Sequence, residues 1–382
     1  MRELRVLHVA QPTTGGVAAY VAQAAAEQLR RGWHVAVACP QDGQLAQWLR
    51  PTGIPALPWR AGRAPDLHTL DEAWRLRRIV REFAPDVVHL HSAKAGLAGR
   101  LPGSRRHGVI FQPHGWSWLA GRGMLARASK AWEKTAAPRC DALICVGDGE
   151  LRQGQNAGVR GPLIVVRNGV DLTRFNPAAP AERHAARLAL GIPADVPLAL
   201  CFGRRSRQKG QDLLLAAWPA VLTRCPQARL AIVGDGLTET GPQPGSVSFM
   251  PAAADPRPWL AACNVVVMPS RWEGLPLSAL ETLATGRSLV ATAIPGLTEV
   301  VTPGTGALVP AEDPEALAEA VAERLAAPDL ADAEGAAGTR AASAFNLTET
   351  LDQLCALTTA VAAATRPRAT SKQTSTPVAG GH

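Results

Sequence analysis

The sequence predicts an α/β protein of two doubly wound domains, each a parallel sheet with helices on both faces. Three observations lead there. Through residues 1–174, short apolar runs (LRVLHVA, HVAVACP, DVVHLHS, GVIFQP, CDALICVG) alternate with amphipathic stretches such as VAAYVAQAAAEQLRRG and LHTLDEAWRLRRIVREFAP, the pattern of strands joined by crossover helices. After a crossing stretch at 172–195 that carries Pro177, Pro180 and Pro193, the alternation begins again with LALCFGR. A chain of 382 residues, 47% of them hydrophobic, can fill two cores. In such sheets ligands bind beyond the carboxyl ends of the strands, so strand-end residues are the ones to inspect.

Composition narrows the class. No apolar run reaches the ~18 residues of a membrane span. The start, MRELRVLHV, reads directly as a strand, with neither the apolar core nor the cleavage site of a signal peptide. The seven cysteines show no C-x-x-C spacing. Cys39, Cys140, Cys145, Cys201 and Cys263 sit in or beside apolar runs, as reduced core thiols do. A cytoplasmic protein is expected. The net charge of +8 is uneven: residues 1–180 hold 24 Lys/Arg against 13 Asp/Glu, or +11, and the rest 16 against 19, or −3. A basic N-terminal half implies an anionic partner there. No nucleic-acid motif accompanies the charge, so a membrane surface or a phosphate-bearing acceptor fits better.

Taken in order, the first strand ends in QPTTGG, with Gly15 and Gly16 opening a helix. Paired glycines let a backbone approach a ligand and leave amides free at the helix start; a plain tight turn needs no more. It is not a dinucleotide fingerprint, since Gly147-Asp-Gly149 and Gly234-Asp-Gly236 both lack the third glycine. His89 and His91 share one face of DVVHLHS by the two-residue period. Metal binding would need further ligands that the sequence does not place nearby, and polar groups lining a cleft are the alternative. GVIFQP ends in Gln112-Pro-His114-Gly115-Trp116, where His114 has at least a hydrogen-bonded role.

From Trp116 to Arg139, Trp, Leu and Met interleave with Arg122, Arg127, Lys130, Lys134 and Arg139; Arg100, Arg105, Arg106 and His107 add charge upstream. A basic amphipathic helix of this kind can lie on an anionic membrane; an ordinary helix with a solvated basic face reads the same way. Val165 to Asp171, VVRNGVD, contains an Asn-Gly turn. In the second domain Gly203-Arg204-Arg-Ser-Arg-Gln-Lys209-Gly210 puts four cations at the end of a strand, where ligand phosphates are expected.

The stretch from Asn264 to Gly286 organises the rest. Val265 to Val267 reads as a buried strand, Pro276 suits the first position of a helix, and Leu277, Leu280, Leu283 and Ala284 have helical spacing closed by Gly286. Glu273 then faces the helix start from the loop. Glu281 lies about 7 Å along the axis at ~1.5 Å per residue. A helix N-terminus seats phosphate, and a carboxylate at that distance can accept bonds from sugar hydroxyls. Two solvated glutamates on an ordinary strand–loop–helix unit are the alternative. DPEALAEAVAERLAA closes the domain, LTETLDQLCALTTAVAAA is a last amphipathic segment, and 366–382 lacks periodicity and is expected to be disordered.

SRWEGLPLSALE from Ser270 to Glu281, with Gly286 and IPGLTEVV (Gly296, Glu299) behind it, resembles the E-x7-E signature of the family 4 glycosyltransferases. The likeness spans roughly residues 1–345, with Thr282 where the family usually has Ala and Pro251 where it commonly has Gly at the edge of the base pocket. It implies the GT-B fold, two facing Rossmann-like domains with the active site in the cleft between them. The expected boundaries are 1–175 for the acceptor domain, 176–195 for the linker, 196–345 for the donor domain and 346–365 for a crossing helix. The family's site carries over as His114, Arg204, Lys209 and Glu273 for catalysis, with Gly16, Gly203, Arg204, Lys209, Glu273, Gly274, Leu275, Leu277 and Glu281 binding the donor. His114 would touch the transferred sugar, Gly16 would face the phosphates, and Arg204 and Lys209 would reach the diphosphate.

The implied reaction is retaining transfer of a hexosyl or N-acetylhexosaminyl group from a nucleotide sugar. A UDP-sugar is the favoured donor and GDP-mannose the alternative. The acceptor hydroxyl belongs to a lipid-linked glycan or to a small soluble molecule. No D-x-D occurs, so neither a metal nor any other cofactor is expected to hold the diphosphate. A pyridoxal-phosphate phosphorylase would need a second-domain lysine, and Lys209 is the one lysine between Gly191 and Thr365. A nucleotide-sugar epimerase would need acid–base residues that cannot be identified. A catalytically silent nucleotide-sugar-binding subunit is the competing class, and the intact Arg204, Lys209, Glu273 and Glu281 argue against it.

Overall fold

The computed structural model describes residues 3–62, 68–101, 106–236 and 245–365. In the N-terminal half, β1 (Arg5–Ala10), β2 (His34–Cys39), β3 (Ala56–Pro58), β4 (Val87–His91), β5 (Gly108–Gln112), β6 (Ala142–Cys145) and β7 (Leu163–Val165) form one sheet, ordered β3-β2-β1-β4-β5-β6-β7. In the C-terminal half, β8 (Leu198–Phe202), β9 (Arg229–Val233), β10 (Val247–Met250), β11 (Val265–Met268), β12 (Ser288–Thr292) and β13 (Gly306–Val309) form another, ordered β10-β9-β8-β11-β12-β13. Neighbouring strands are parallel throughout, and the near-continuous apolar runs of the inner strands are buried on both faces, as crossover helices require, while the edge strands β3, β7, β10 and β13 are partly exposed.

Strand order reverses between β1 and β4 in one sheet and between β8 and β11 in the other. Those are the points where a crevice opens beyond the strand ends. The Gly15–Gly16 loop follows β1, the basic loop follows β8 and the glutamate loop follows β11, so topology alone gathers three of the expected motifs at the two crevices.

The C-terminal helix Leu347–Thr365 crosses back to the first domain. Its Leu351, Leu354, Val361 and Ala362 share a core with Leu4, Val6, Tyr20 and Ile110. A Cβ on Gly108 would lie 2.4 Å from Val361 Cγ1, so only a glycine lets the helix approach β5 this closely.

Several expectations change. Pro276 is not the first helical residue: it caps the helix Leu277–Ala284 in extended conformation (φ −74°, ψ 127°). A helix at Pro328–Ala342, unpredicted from PDLADAEGAAGTRAA, packs on Leu277–Ala284. It has no broad apolar stripe, and its small residues admit a backbone instead, a Cβ on Gly335 falling 2.1 Å from the Gly286 carbonyl oxygen.

The basic run upstream of Arg139 also divides. Arg100 is 1% exposed, its Nη2 2.7 Å from Glu133 Oε2 and its guanidinium 3.6 Å from the Phe111 ring centroid. It belongs to the core and cannot meet a membrane. Trp116 is buried too, stacked on Trp118. What faces solvent on the helix Gly123–Ala136 is Met124, Leu125, Arg127, Lys130 and Lys134, with Arg122 just before it. Arg105 and the 366–382 tail lie outside the described residues. All seven cysteines are free and buried, and no described helix is long and apolar enough to cross a membrane.

Candidate active site

The C-terminal half of the site grows from two loops that the sheet holds side by side. β11 delivers Ser270 to Pro276, and β8, its register neighbour, delivers Gly203 to Gly210. The second loop is locked by backbone geometry: Gly210 has φ +67° and a Cβ there would lie 1.9 Å from the Pro269 carbonyl oxygen, a contact that no other residue tolerates. Gly203, at φ +136°, has Lys209 Cε 3.5 Å from its would-be Cβ. Lys209 therefore folds back over its own loop.

Its ammonium ends on Glu273, Nζ to Oε1 2.7 Å. Glu273 is almost fully buried and also accepts from Ser270 Oγ at 2.8 Å and Gln208 Nε2 at 3.4 Å. A carboxylate held by three donors has a fixed orientation. Arg204 is exposed, and its guanidinium has no side-chain partner among the described residues. One cation is thus already balanced and the other is available to a ligand.

Glu281, on the helix Leu277–Ala284, has no hydrogen-bond partner for its carboxyl among the described residues. Desolvation in the cleft pushes it up to about 7, reinforced by Asp255 and opposed by Arg174 and Lys209.

The N-terminal domain supplies the facing wall. A Cβ on Gly16 would sit 3.7 Å from Leu277 Cδ1, so the Gly-Gly loop abuts the helix start of the other domain. His114 adopts φ +54° ahead of Gly115 at φ +101°, an uncommon conformation for a residue with a side chain. It is held because Gly115 N–H donates to Glu150 Oε1 at 2.5 Å and Val146 N–H to Oε2 at 2.7 Å. Burial takes Glu150 up to about 7 against those two bonds. His114 Nε2 meets His91 Nδ1 at 3.0 Å, and burial lowers its pKa to about 3, leaving a neutral imidazole at physiological pH.

Contacts between the domains set the cleft. Gly274 packs on the His114–Gly115 turn, where a Cβ would lie 2.8 Å from Val146 Cγ2 and 3.3 Å from Gly115 N. Asn168 Nδ2 donates to the Leu275 carbonyl at 2.7 Å. Glu299 reaches across to accept from Asp148 N–H at 2.7 Å and Gly149 N–H at 2.6 Å, at the start of the helix Asp148–Ala157, where amides and dipole favour an anion.

Two family models match this chain, Glycosyltransferase Family 4 over residues 14–174 and Glycosyl transferases group 1 over 196–327. The GDP-mannose-dependent monoacylated alpha-(1-6)-phosphatidylinositol monomannoside mannosyltransferase of Corynebacterium glutamicum is 32% identical over 298 residues, 72% of this chain and 76% of that protein. The chain belongs to family 4 of the glycosyltransferases. The D-inositol 3-phosphate glycosyltransferase of Mycolicibacterium paratuberculosis is 32% identical over 396 residues, 91% of this chain and 87% of that one. The structure of Anabaena Alr3699/HepE in complex with UDP-glucose superposes with a TM-score of 0.80 over 94% of this chain and 100% of that one at 20% identity, a likeness of fold. The GT-B architecture expected from the sequence is the one observed.

In this glycosyltransferase the cleft brings together Gly16, His114, Gly274, Leu275 and Leu277 by direct packing, and Lys209 with Glu273 by an ion pair. Sequence reasoning missed the residues that hold them. Ser270 and Gln208 fix Glu273. Asn168, read as a turn residue, ties the domains together. Glu299 lay within the quoted motif without a role. Arg174 acts on Glu281 from the crossing segment. Only Glu299 carried a signal, as a carboxylate at a fixed distance behind a strand-end glycine.

Proposed function

We propose that this enzyme is a retaining glycosyltransferase that moves a hexosyl or N-acetylhexosaminyl group from a nucleoside diphosphate sugar to an acceptor hydroxyl in envelope glycan assembly. The observation that carries the reading is the division of charge around the helix at Leu277: Lys209 held by Glu273, with Arg204 unpaired and Glu281 desolvated and unpartnered among the described residues. Diphosphate then lies at the helix start beside Arg204 and Lys209, ribose hydroxyls donate to Glu281, and the sugar lies between Glu273 and His114. The sugar–phosphate bond breaks as the acceptor oxygen attacks the same face, and the acceptor proton passes to the departing phosphate. Negative charge growing on that phosphate is stabilised by Lys209, Arg204 and the helix N-terminus. The reading needs no divalent ion at the diphosphate; added Mg2+ or Mn2+ is expected to leave turnover unchanged, and a strict requirement for either overturns that part.

Glu281→Gln is expected to weaken nucleoside diphosphate binding by about ten- to hundredfold, since a bond to a charged acceptor is worth roughly 1.5–3 kcal/mol. A sign follows for pH. Glu281 in the free enzyme is protonated below about 7 and ribose hydroxyls prefer the ionised form, so affinity should rise with pH through this range, by up to about tenfold per unit below it. Calorimetry of UDP, GDP and ADP on wild type and Glu281→Gln tests both statements and ranks the bases. A UDP-sugar is expected from the family resemblance, while the corynebacterial relative is named for GDP-mannose. Equal affinity and equal pH slope in the two proteins would remove Glu281 from the site.

The acceptor is read as lipid-linked, on an anionic membrane. Met124 at 85% exposure and Leu125 at 55% open a helix with Arg122, Arg127, Lys130 and Lys134 about them, and each basic residue near such a surface contributes about 1 kcal/mol. Sedimentation with anionic liposomes should show binding that weakens with salt. A second reading, a small phosphorylated acceptor, is favoured by the likeness to the inositol 3-phosphate enzyme. Equal, negligible sedimentation with anionic and neutral vesicles would leave that second reading standing.

A further inference from the structure

We propose that His8, His89 and His91 form a buried transition-metal site of the Zn2+ class beneath the first-domain wall of the cleft. Two neighbouring strands converge their nitrogens. In the β1–β4 register His8 stands opposite His89, and the two-residue period puts His91 on the same face. One ring nitrogen from each lies within 4.8 Å of the other two, and all three side chains are fully buried. His8 Nδ1 and His91 Nε2 are 2.9 Å apart, near the roughly 3.3 Å that two nitrogens keep on a tetrahedral ion with bonds of about 2.0–2.1 Å.

His89 is the observation that asks for a ligand. Neither of its ring nitrogens makes a well-formed hydrogen bond among the described residues, the Gln112 side chain being its polar neighbour, a costly state for a buried imidazole that an ion relieves. The outer shell is in place. His8 Nε2 is 2.8 Å from Gln28 Oε1, and His91 Nδ1 is 3.0 Å from His114 Nε2, so each faces the kind of acceptor to which a ligating imidazole gives its second N–H. Gln112, the register partner of His91, lies buried beside His89 and Tyr20 Oη, and neither Gln112 nor Tyr20 Oη makes a well-formed side-chain hydrogen bond among the described residues; these atoms supply the fourth ligand or hold a water there. An all-imidazole set favours Zn2+, Ni2+, Co2+ or Cu2+ over Mg2+ and Ca2+. His114, half-buried at the cleft, marks the way in.

The site has a consequence for His114. With the ion bound, His91 Nδ1–H donates to His114 Nε2, and the His114 proton sits on Nδ1. With imidazoles alone, the chain starting at Gln28 Oε1 runs the other way: His8 Nε2–H, His91 Nε2–H and His114 Nε2–H each donate, leaving His114 Nδ1 an acceptor. Occupancy therefore inverts the polarity presented to the cleft. That consequence rests on the proposed sugar contact of His114; the metal site does not.

The test uses the full chain purified without a metal-affinity step, dialysed against chelator and titrated with Co2+, then with Zn2+. The expected result is one equivalent of Co2+ with the intense visible absorption of a tetrahedral centre, removed by one equivalent of Zn2+. His89→Gln should abolish it, and Gln28→Leu should weaken binding about ten- to hundredfold while leaving every ligand in place. Histidine ring 15N shifts on the wild type report the His114 tautomer in both states. The proposal is overturned if the wild type binds no equivalent. It is equally overturned if its Co2+ spectrum is weak, octahedral and unchanged in His89→Gln, which assigns the ion to exposed His34 or His184.

Discussion

Lys209→Ala is expected to lower turnover by about a hundredfold or more, and to affect donor affinity less. A point charge beside the leaving diphosphate acts mainly on the transition state, where its negative charge is greatest. The structure adds a second effect. Among the described residues Lys209 is the one cation paired with Glu273, so its removal leaves a carboxylate that is 6% exposed with Ser270 and Gln208 to hold it. Glu273 will then shift its orientation. Arg204→Ala separates the two effects. Arg204 is exposed and unpaired among the described residues, so its loss should depress turnover comparably without lowering thermal stability, whereas Lys209→Ala should lower both. Steady-state kinetics with melting curves on the two variants read this directly. Equal kcat in Lys209→Ala and wild type would show that the lysine serves only to hold Glu273.

The largest effect on stability is expected from Arg100→Ala. The guanidinium lies on the Phe111 ring, donates to the Gly96 carbonyl and pairs with a buried Glu133 that it shares with Ser117. Removing one partner leaves the other charge buried, which costs about 3–5 kcal/mol. Replacing both partners by apolar residues of like volume, Arg100→Met with Glu133→Leu, should recover most of that loss. Denaturant unfolding of the single and double variants checks the order. A single-variant loss below about 1 kcal/mol would mean that solvent reaches the pair.

Arg100 also shows where reading a sequence stops. In the chain it stands among cations of a basic run, and nothing local separates it from Arg122 or Lys130. What separates it is Glu133, 33 residues away, and that distance closes only when the helices over β4 and β5 pack. His89 and His91 give the same lesson with opposite sign. Their shared face was legible from the two-residue period, but the third histidine sits on β1, 81 residues before His89, and only the parallel pairing of β1 with β4 makes them neighbours. Charge type and face are local properties; partnership is not.

By itself the sequence determined the α/β class, the two sheets and the family, because apolar periodicity, strand length and strand-end glycines are written locally and parallel crossovers leave few topologies. It also placed Glu273 in a loop and Glu281 one turn inside a helix, since both follow from a short strand and a helical spacing. Only the tertiary structure decided that Lys209 spends its charge on Glu273, that Asn168 and Glu299 join the domains, and that His114 is held neutral in a left-handed turn. The helix at Pro328–Ala342 likewise forms because its glycines admit a neighbouring backbone, which its own apolar pattern does not announce. The reason is common to all of these. Their free energy depends on distances between segments remote in the chain, and on a desolvation that exists only after both cores have closed.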